Sequence, residues 1–313
     1  MPSRTLTRAS GTLTALAGLV LTAAATSATA TAAEPAADSA SASATTAAPI
    51  VTVAHRGASA YAPENTLAAV DTAREMGIDW VENDVQRSKD GELVIMHDDT
   101  LTRTTNVEEV FPDRAPWKVS DFTWKEIRTL DAGSWKGEEW AGTRVPTLDQ
   151  YMKRVTQNRQ KLVLEIKKPE LYPGIEEEIL TELRKSGWLS RAAVKNKLVV
   201  QSFGADSIKT VHELRPDVKT GFLGTPAVAD LPDYAAFSDQ INSNHGTMSA
   251  EYYAAVHALE GPHGKQLESY TWTVDDPARA VELAEWGADG IITNKPDLIS
   301  EALEDAGFGV AAG

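Results

Sequence analysis

Residues 54–106 read AHRGASAYAPENTLAAVDTAREMGIDWVENDVQRSKDGELVIMHDDTLTRTTN, with polar groups set at the ends of apolar runs. Val51 to Ala54 is a short β-branched run, and His55-Arg56-Gly57 ends it, which places a polar triplet at a strand exit. Asp79 to Val85 is a second run, in which residues two apart share a face, so Glu82 and Asp84 project together. Two carboxylates so placed share a cation or a proton, or else belong to a salt-bridge network at a polar strand end. Lys89-Asp90-Gly91 then breaks the apolar pattern before Leu93 to His97. Asp-Gly between strands signals a hairpin, and the connection is too short for a parallel crossover. A two-residue Asp90-Gly91 turn pairs Lys89 with Glu92 and, counting outward, sets Asp84 opposite His97 on one face.

Outward from this stretch, strand and helix patterns alternate. Pro63-Glu64-Asn65-Thr66 precedes an apolar-periodic helix from Leu67 to Met76 that ends at Gly77, with Asn65 or Thr66 as its N-cap. Strands beginning near Val51, Asp79, Leu162, Leu198, Lys219, Gln240, Ser269 and Gly290 make eight, most of them followed by a helical pattern. Eight β-α units over this length predict a TIM (β/α)8 barrel, with Leu93 to His97 as a β-hairpin addition after strand 2. An open doubly wound sheet is the alternative, but it leaves the first and last strand ends apart. Residues 98–147 hold Trp117, Phe122, Trp124, Trp135 and Trp140, too long and too aromatic for a bare loop, and predict a small inserted subdomain.

The chain of 313 residues carries 30 Lys and Arg against 45 Asp and Glu, a net charge of −15. That balance argues against nucleic acid and against simple adhesion to anionic lipid. Arg4 and Arg8, the apolar stretch Gly11 to Ala25 and the small residues Ala28-Thr29-Ala30 predict a Sec-type secretory signal over residues 1–30 and a secreted protein. The apolar run is short for a bilayer span, so no integral membrane segment is expected once the signal is removed. Removing it takes two arginines and no acids, leaving −17. Residues 31–48, almost all Ala, Ser and Thr, predict a low-complexity linker, and residues 49–305 the barrel. With no cysteine, the core must suffice without disulfides.

AHRG, PENT, E-x-D, KDG and HDDTLTRTT together resemble the glycerophosphodiester phosphodiesterases, and the resemblance runs from about Val51 to Leu303. It implies that Glu82, Asp84 and Glu165 (the acid of LEIKK) hold a metal; all-oxygen ligation points to Ca2+ or Mg2+. It also implies that His55 and His97 are catalytic as a general acid/base pair, which is acid and which is base being left open. Arg56 and Lys167 are the cations placed to hold a phosphate, Lys167 having a simple pair with Glu165 as its other reading. Gln201 and Trp272 line the pocket by analogy. Two positions depart from the family pattern: Asp275 follows Val274 where WTVN is usual, and Asn83 stands between the two acids where a hydrophobic residue is common.

The resemblance implies cleavage of glycerophosphodiesters to sn-glycerol 3-phosphate and an alcohol, with attack by the substrate's own 2-hydroxyl as a route through a cyclic phosphate. Other enzyme readings are a phospholipase D or lysophospholipase D on the same barrel, and a teichoic-acid phosphodiesterase. A barrel that kept binding and lost catalysis would be expected to lack a histidine or a carboxylate, and all five are present.

Overall fold

The computed structural model describes residues 49–309. The signal and linker expected at 1–30 and 31–48 lie outside the described residues. Among the described residues, β-branched and aliphatic runs form nine strands: β1 (Val51–Ala54), β2 (Trp80–Arg87), β3 (Leu93–Ile95), β4 (Lys161–Ile166), β5 (Leu198–Ser202), β6 (Lys219–Leu223), β7 (Gln240–Asn244), β8 (Tyr270–Trp272) and β9 (Gly290–Thr293). Eight of them run parallel in the order β1-β2-β4-β5-β6-β7-β8-β9, and β1 pairs with both β2 and β9, which closes the ring. This is a closed eight-stranded parallel barrel, as the alternation of elements predicts.

Strand alternation sorts the apolar side chains into two layers. Val53, Val163, Val199, Tyr270 and Ile292, one from each of five strands, cluster with one another in the barrel interior. Val81, Val85, Leu162, Leu164 and Val200 instead join Val70, Ala73, Tyr151, Ile179 and Ile208 of the surrounding helices. The helix Leu67–Glu75 begins at Thr66, whose side chain accepts from the Ala69 backbone N–H. Gly57 lets that helix approach: at φ +79° a Cβ there would lie 2.6 Å from Ala69. The helix Leu148–Gln157 starts in a Thr147–Gln150 capping box.

β2 is the longest strand, and its far half outruns β1 and pairs antiparallel with β3. Here the sequence-based register is off by one. Val85 faces Ile95, Gln86 faces Val94 and Arg87 faces Leu93, so Asp84 meets Met96 rather than His97. Ser88 N–H donates to Glu92 O at 2.9 Å, and Lys89, Asp90 and Gly91 form a three-residue loop with Gly91 at φ +92°. A loop with glycine in the left-handed region at its last position holds one residue more than the two-residue turn. β3 then stops at Ile95 and the chain bends through His97, so strand alternation no longer dictates where that imidazole points.

Within residues 98–147, Leu101, Val107, Val119, Phe122, Ile127 and Leu130 pack with Val94 and Met96 as a buried cluster separate from the barrel layers. Arg114 lies 3.9 Å over the Phe122 ring. No helix among the described residues is long and apolar enough to cross a membrane.

Candidate active site

The groups at the carboxyl ends of β1, β2, β4, β5 and β8 converge. Of the nine side chains singled out in the sequence, eight (all but Asp84) line one cavity of about 90 Å3. Asp84 is fully buried. The register slip therefore does not remove His97 from the mouth.

Three carboxylates dominate the electrostatics. Glu82, Asp84 and Glu165 each offer an oxygen within 4.8 Å of the others, and all three are buried. Two cations face them. Lys167 donates to Glu165 at 2.6 Å and stands 3.2 Å from Asp84 Oδ1. Arg56 adopts a left-handed backbone at φ 58°, aims its N–H at Glu82 Oε2 (2.8 Å) and brings its Nε to 3.3 Å from Asp84. The cations expected to hold a phosphate are thus already paired with carboxylates, and Asn65 adds a 2.7 Å hydrogen bond to Asp84 Oδ2.

Three acids against two bases leave one charge uncompensated. Burial, then Asp84 and Glu165, push Glu82 well above the usual carboxylate range. Burial, then Asp84, push Glu165 up to about 7. Burial acts on Asp84 in the same sense, but Lys167 and Arg56 outweigh it and hold that carboxyl low. Glu82 Oε1 is buried without a hydrogen-bond partner among the described residues. An orphaned carboxylate oxygen in a convergent all-oxygen set fits a hard divalent cation, and such a cation would remove the proton demand.

The histidines differ in their partners. His55 Nδ1 lies 2.7 Å from Asn294 Oδ1, and burial together with Arg56 lowers its pKa to about 4. His97 Nδ1 lies 2.7 Å from Asp98 Oδ1. Arg103 grips Asp98 through Nε (2.6 Å) and Glu64 through both terminal nitrogens, while Arg56 Nη1 takes Glu64 from the other side. Gln201 accepts from Asn242, and Trp272 donates to Asn242 O while meeting Phe203 edge-on at 5.4 Å between ring centroids.

Sequence reasoning passed over Asp98, Arg103, Asp275 and Asn294 as working groups. The first two lie inside the quoted HDDTLTRTT segment, where an acid directly after a histidine was the available signal. The Asp275–Asn294 pair joins segments that follow two different strands, and it left no signal beyond the departure at Asp275.

Residues 55–298 match the model of the "Glycerophosphoryl diester phosphodiesterase family". A glycerophosphodiester phosphodiesterase of Bacillus subtilis (strain 168) is 36% identical over 262 residues, covering 80% of this chain and 85% of its own. A second, from Caldanaerobacter subterraneus, is 34% identical, covering 82% of this chain and 99% of its own. Among solved structures, an Oleispira antarctica phosphodiesterase in complex with the product sn-glycerol-3-phosphate superposes with a TM-score of 0.66 at 28% identity, covering 82% of this chain and 97% of that one. With these similarities over nearly the whole described fold, the chain belongs to the glycerophosphoryl diester phosphodiesterase family and is an enzyme of that type.

Proposed function

We propose that this chain hydrolyses glycerophosphodiesters to sn-glycerol 3-phosphate and an alcohol, in a metal-dependent reaction with His55 and His97 as the proton-transfer pair. One observation carries the reading: two imidazoles share a cavity with the buried carboxylates Glu82 and Glu165. The complex of the Oleispira antarctica relative with sn-glycerol-3-phosphate supports the choice of substrate.

His55 stays neutral at working pH and receives at Nε2 the proton of the attacking group, its Nδ1 being engaged by Asn294; that group is water, or the substrate's 2-hydroxyl, whose attack closes a cyclic phosphate that water then opens with the roles of the two histidines exchanged. His97, its Nδ1–H facing the Asp98 carboxylate, gives the Nε2 proton of its imidazolium to the departing alkoxide; burial lowers its pKa, and the Asp84 and Asp98 carboxylates oppose that shift. A divalent cation held by Glu82, Asp84 and Glu165 supplies, when bound, charge neutralisation at the phosphoryl oxygens. Arg56 and Lys167 keep the carboxylates in register and add positive potential at the cavity floor. A neighbouring cavity of about 560 Å3, sharing His97, Lys167 and Phe203 and bounded by Asp99 and Glu170, gives the alcohol its room.

The test is alcohol release from glycerophosphocholine and from lysophosphatidylcholine, with Ca2+, with Mg2+ and with chelator, for wild type, His55→Ala and Glu82→Ala. Wild type turns over the tailless diester with a divalent ion; chelator and either substitution lower the rate about a hundredfold or more. Undiminished turnover in both variants, or preference for the lysolipid, overturns the reading. The leader over residues 1–30 makes the activity extracellular: chain recovered from culture medium begins near Thr31, and full-length chain retained in the cells counts against export.

A further inference from the structure

Asp275 stands where the family resemblance leads one to expect asparagine, and its carboxylate is fully engaged. Oδ1 accepts from the Asn294 backbone N–H at 2.8 Å and from the Thr293 hydroxyl at 3.0 Å; Oδ2 accepts from Asn294 Nδ2 at 2.7 Å. Both partners sit at the end of β9, beside β1. The Asn294 backbone is pinned on its other side, its carbonyl accepting from Ala60 N–H at 3.0 Å.

An amide has one acceptor end and one donor end, and which way it faces is set by its partners. With Nδ2 committed to a carboxylate, Asn294 must turn Oδ1 the other way, where the Ser59 hydroxyl donates to it at 2.7 Å and His55 Nδ1 lies 2.7 Å away. An oxygen without a proton can only accept, so Nδ1 of His55 carries the hydrogen and Nε2 keeps its lone pair. We infer that Asp275 is a positioning residue: acting through Asn294, it fixes the tautomer and ring orientation of His55. The inference rests on His55 being a reacting group, as proposed above.

Replacing Asp275 by asparagine reverses the chain of constraints. An asparagine there still accepts from the Asn294 N–H and the Thr293 hydroxyl, but its own NH2 then faces Asn294 Nδ2, donor against donor. Asn294 relieves this by flipping, which presents Nδ2 to His55, and the ring proton moves to Nε2, where the lone pair was needed. The exchange Asp275→Asn with Asn294→Asp restores a full complement: the amide now at position 275 donates to the carboxylate now at position 294, and that carboxylate accepts from His55 Nδ1–H.

The experiment compares wild type, Asp275→Asn, the double exchange and His55→Ala by steady-state kinetics and by ring 15N NMR of His55, assigned by its absence in His55→Ala. Wild type shows a protonated Nδ1 and a bare Nε2. Asp275→Asn shows the opposite tautomer, with kcat down about tenfold or more because a misassigned tautomer disables a catalytic histidine, and KM little changed. The double exchange recovers both the tautomer and most of kcat. A wild-type His55 protonated at Nε2 overturns the inference without any variant, as does an Asp275→Asn protein with unchanged tautomer, whatever its kcat. If His55→Ala itself turns over at the wild-type rate, the failure lies with the proposed role of His55 and takes the positioning argument down with it.

Discussion

Asn83 sits on β2 between the two acids that matter most, yet alternation turns it to the opposite face. There it stands with Val81 and Val85 in the apolar layer beneath the helices, fully buried. Neither Oδ1 nor Nδ2 has a hydrogen-bond partner among the described residues. A buried amide with no partner costs its desolvation, about 1–3 kcal/mol. Asn83→Leu, close in shape and apolar, is expected to raise the unfolding free energy by about that amount, read as a higher thermal midpoint and denaturant midpoint. Turnover should hold, because Glu82 and Asp84 face the other way. A lowered midpoint would mean that Asn83 binds a buried water or another group in solution. The contrast with Asn65 is instructive: that amide, at φ 59°, is spent on Asp84 while Thr66 takes the capping role, a division of labour the PENT letters alone leave open.

At the scale of elements, β2 is central, because it is long enough to pair with β1 and β4 in the ring and then with β3 beyond it. Its period-2 pattern made the joint projection of Glu82 and Asp84 legible, and the parallel β4 pairing sets Asp84 directly beside Glu165. The β3 register was not legible, since Lys89-Asp90-Gly91 is compatible with a two- or three-residue loop and one residue reverses every face. His97 lines the cavity for a reason other than that register: β3 ends at Ile95, before the histidine is reached. The groups behind the histidines were harder still. Arg103, which holds Asp98, meets Glu64 across 39 residues, and Asn294 meets His55 across 239. The longer of these contacts follows from closure of the ring, which brings β9 against β1, and not from any local pattern.

For the whole molecule, the apolar strand runs and eight-fold alternation were enough to predict closure, because only a ring lets strand ends from both termini form one mouth. The net charge of −15 is a separate matter. It sets the wrong field for an anionic phosphodiester, so binding depends on charge concentrated locally, and the buried triad with its two basic partners is where one further cation is called for. A cation that binds the folded triad and finds no comparable set of ligands in the unfolded chain stabilises the fold by mass action, about 2.7 kcal/mol at a hundredfold excess over Kd. For a domain of this size that corresponds to a rise of roughly 5 °C in thermal midpoint. Saturating Ca2+ or Mg2+ should therefore raise the midpoint of the wild-type protein relative to chelator, and the rise should vanish in Glu82→Gln and Asp84→Asn. Those variants, with one anionic ligand fewer for the ion, should unfold at a temperature that no longer depends on it. An equal rise in wild type and both variants would place the cation elsewhere on an acidic surface, and no rise in any of them would remove the metal from the site.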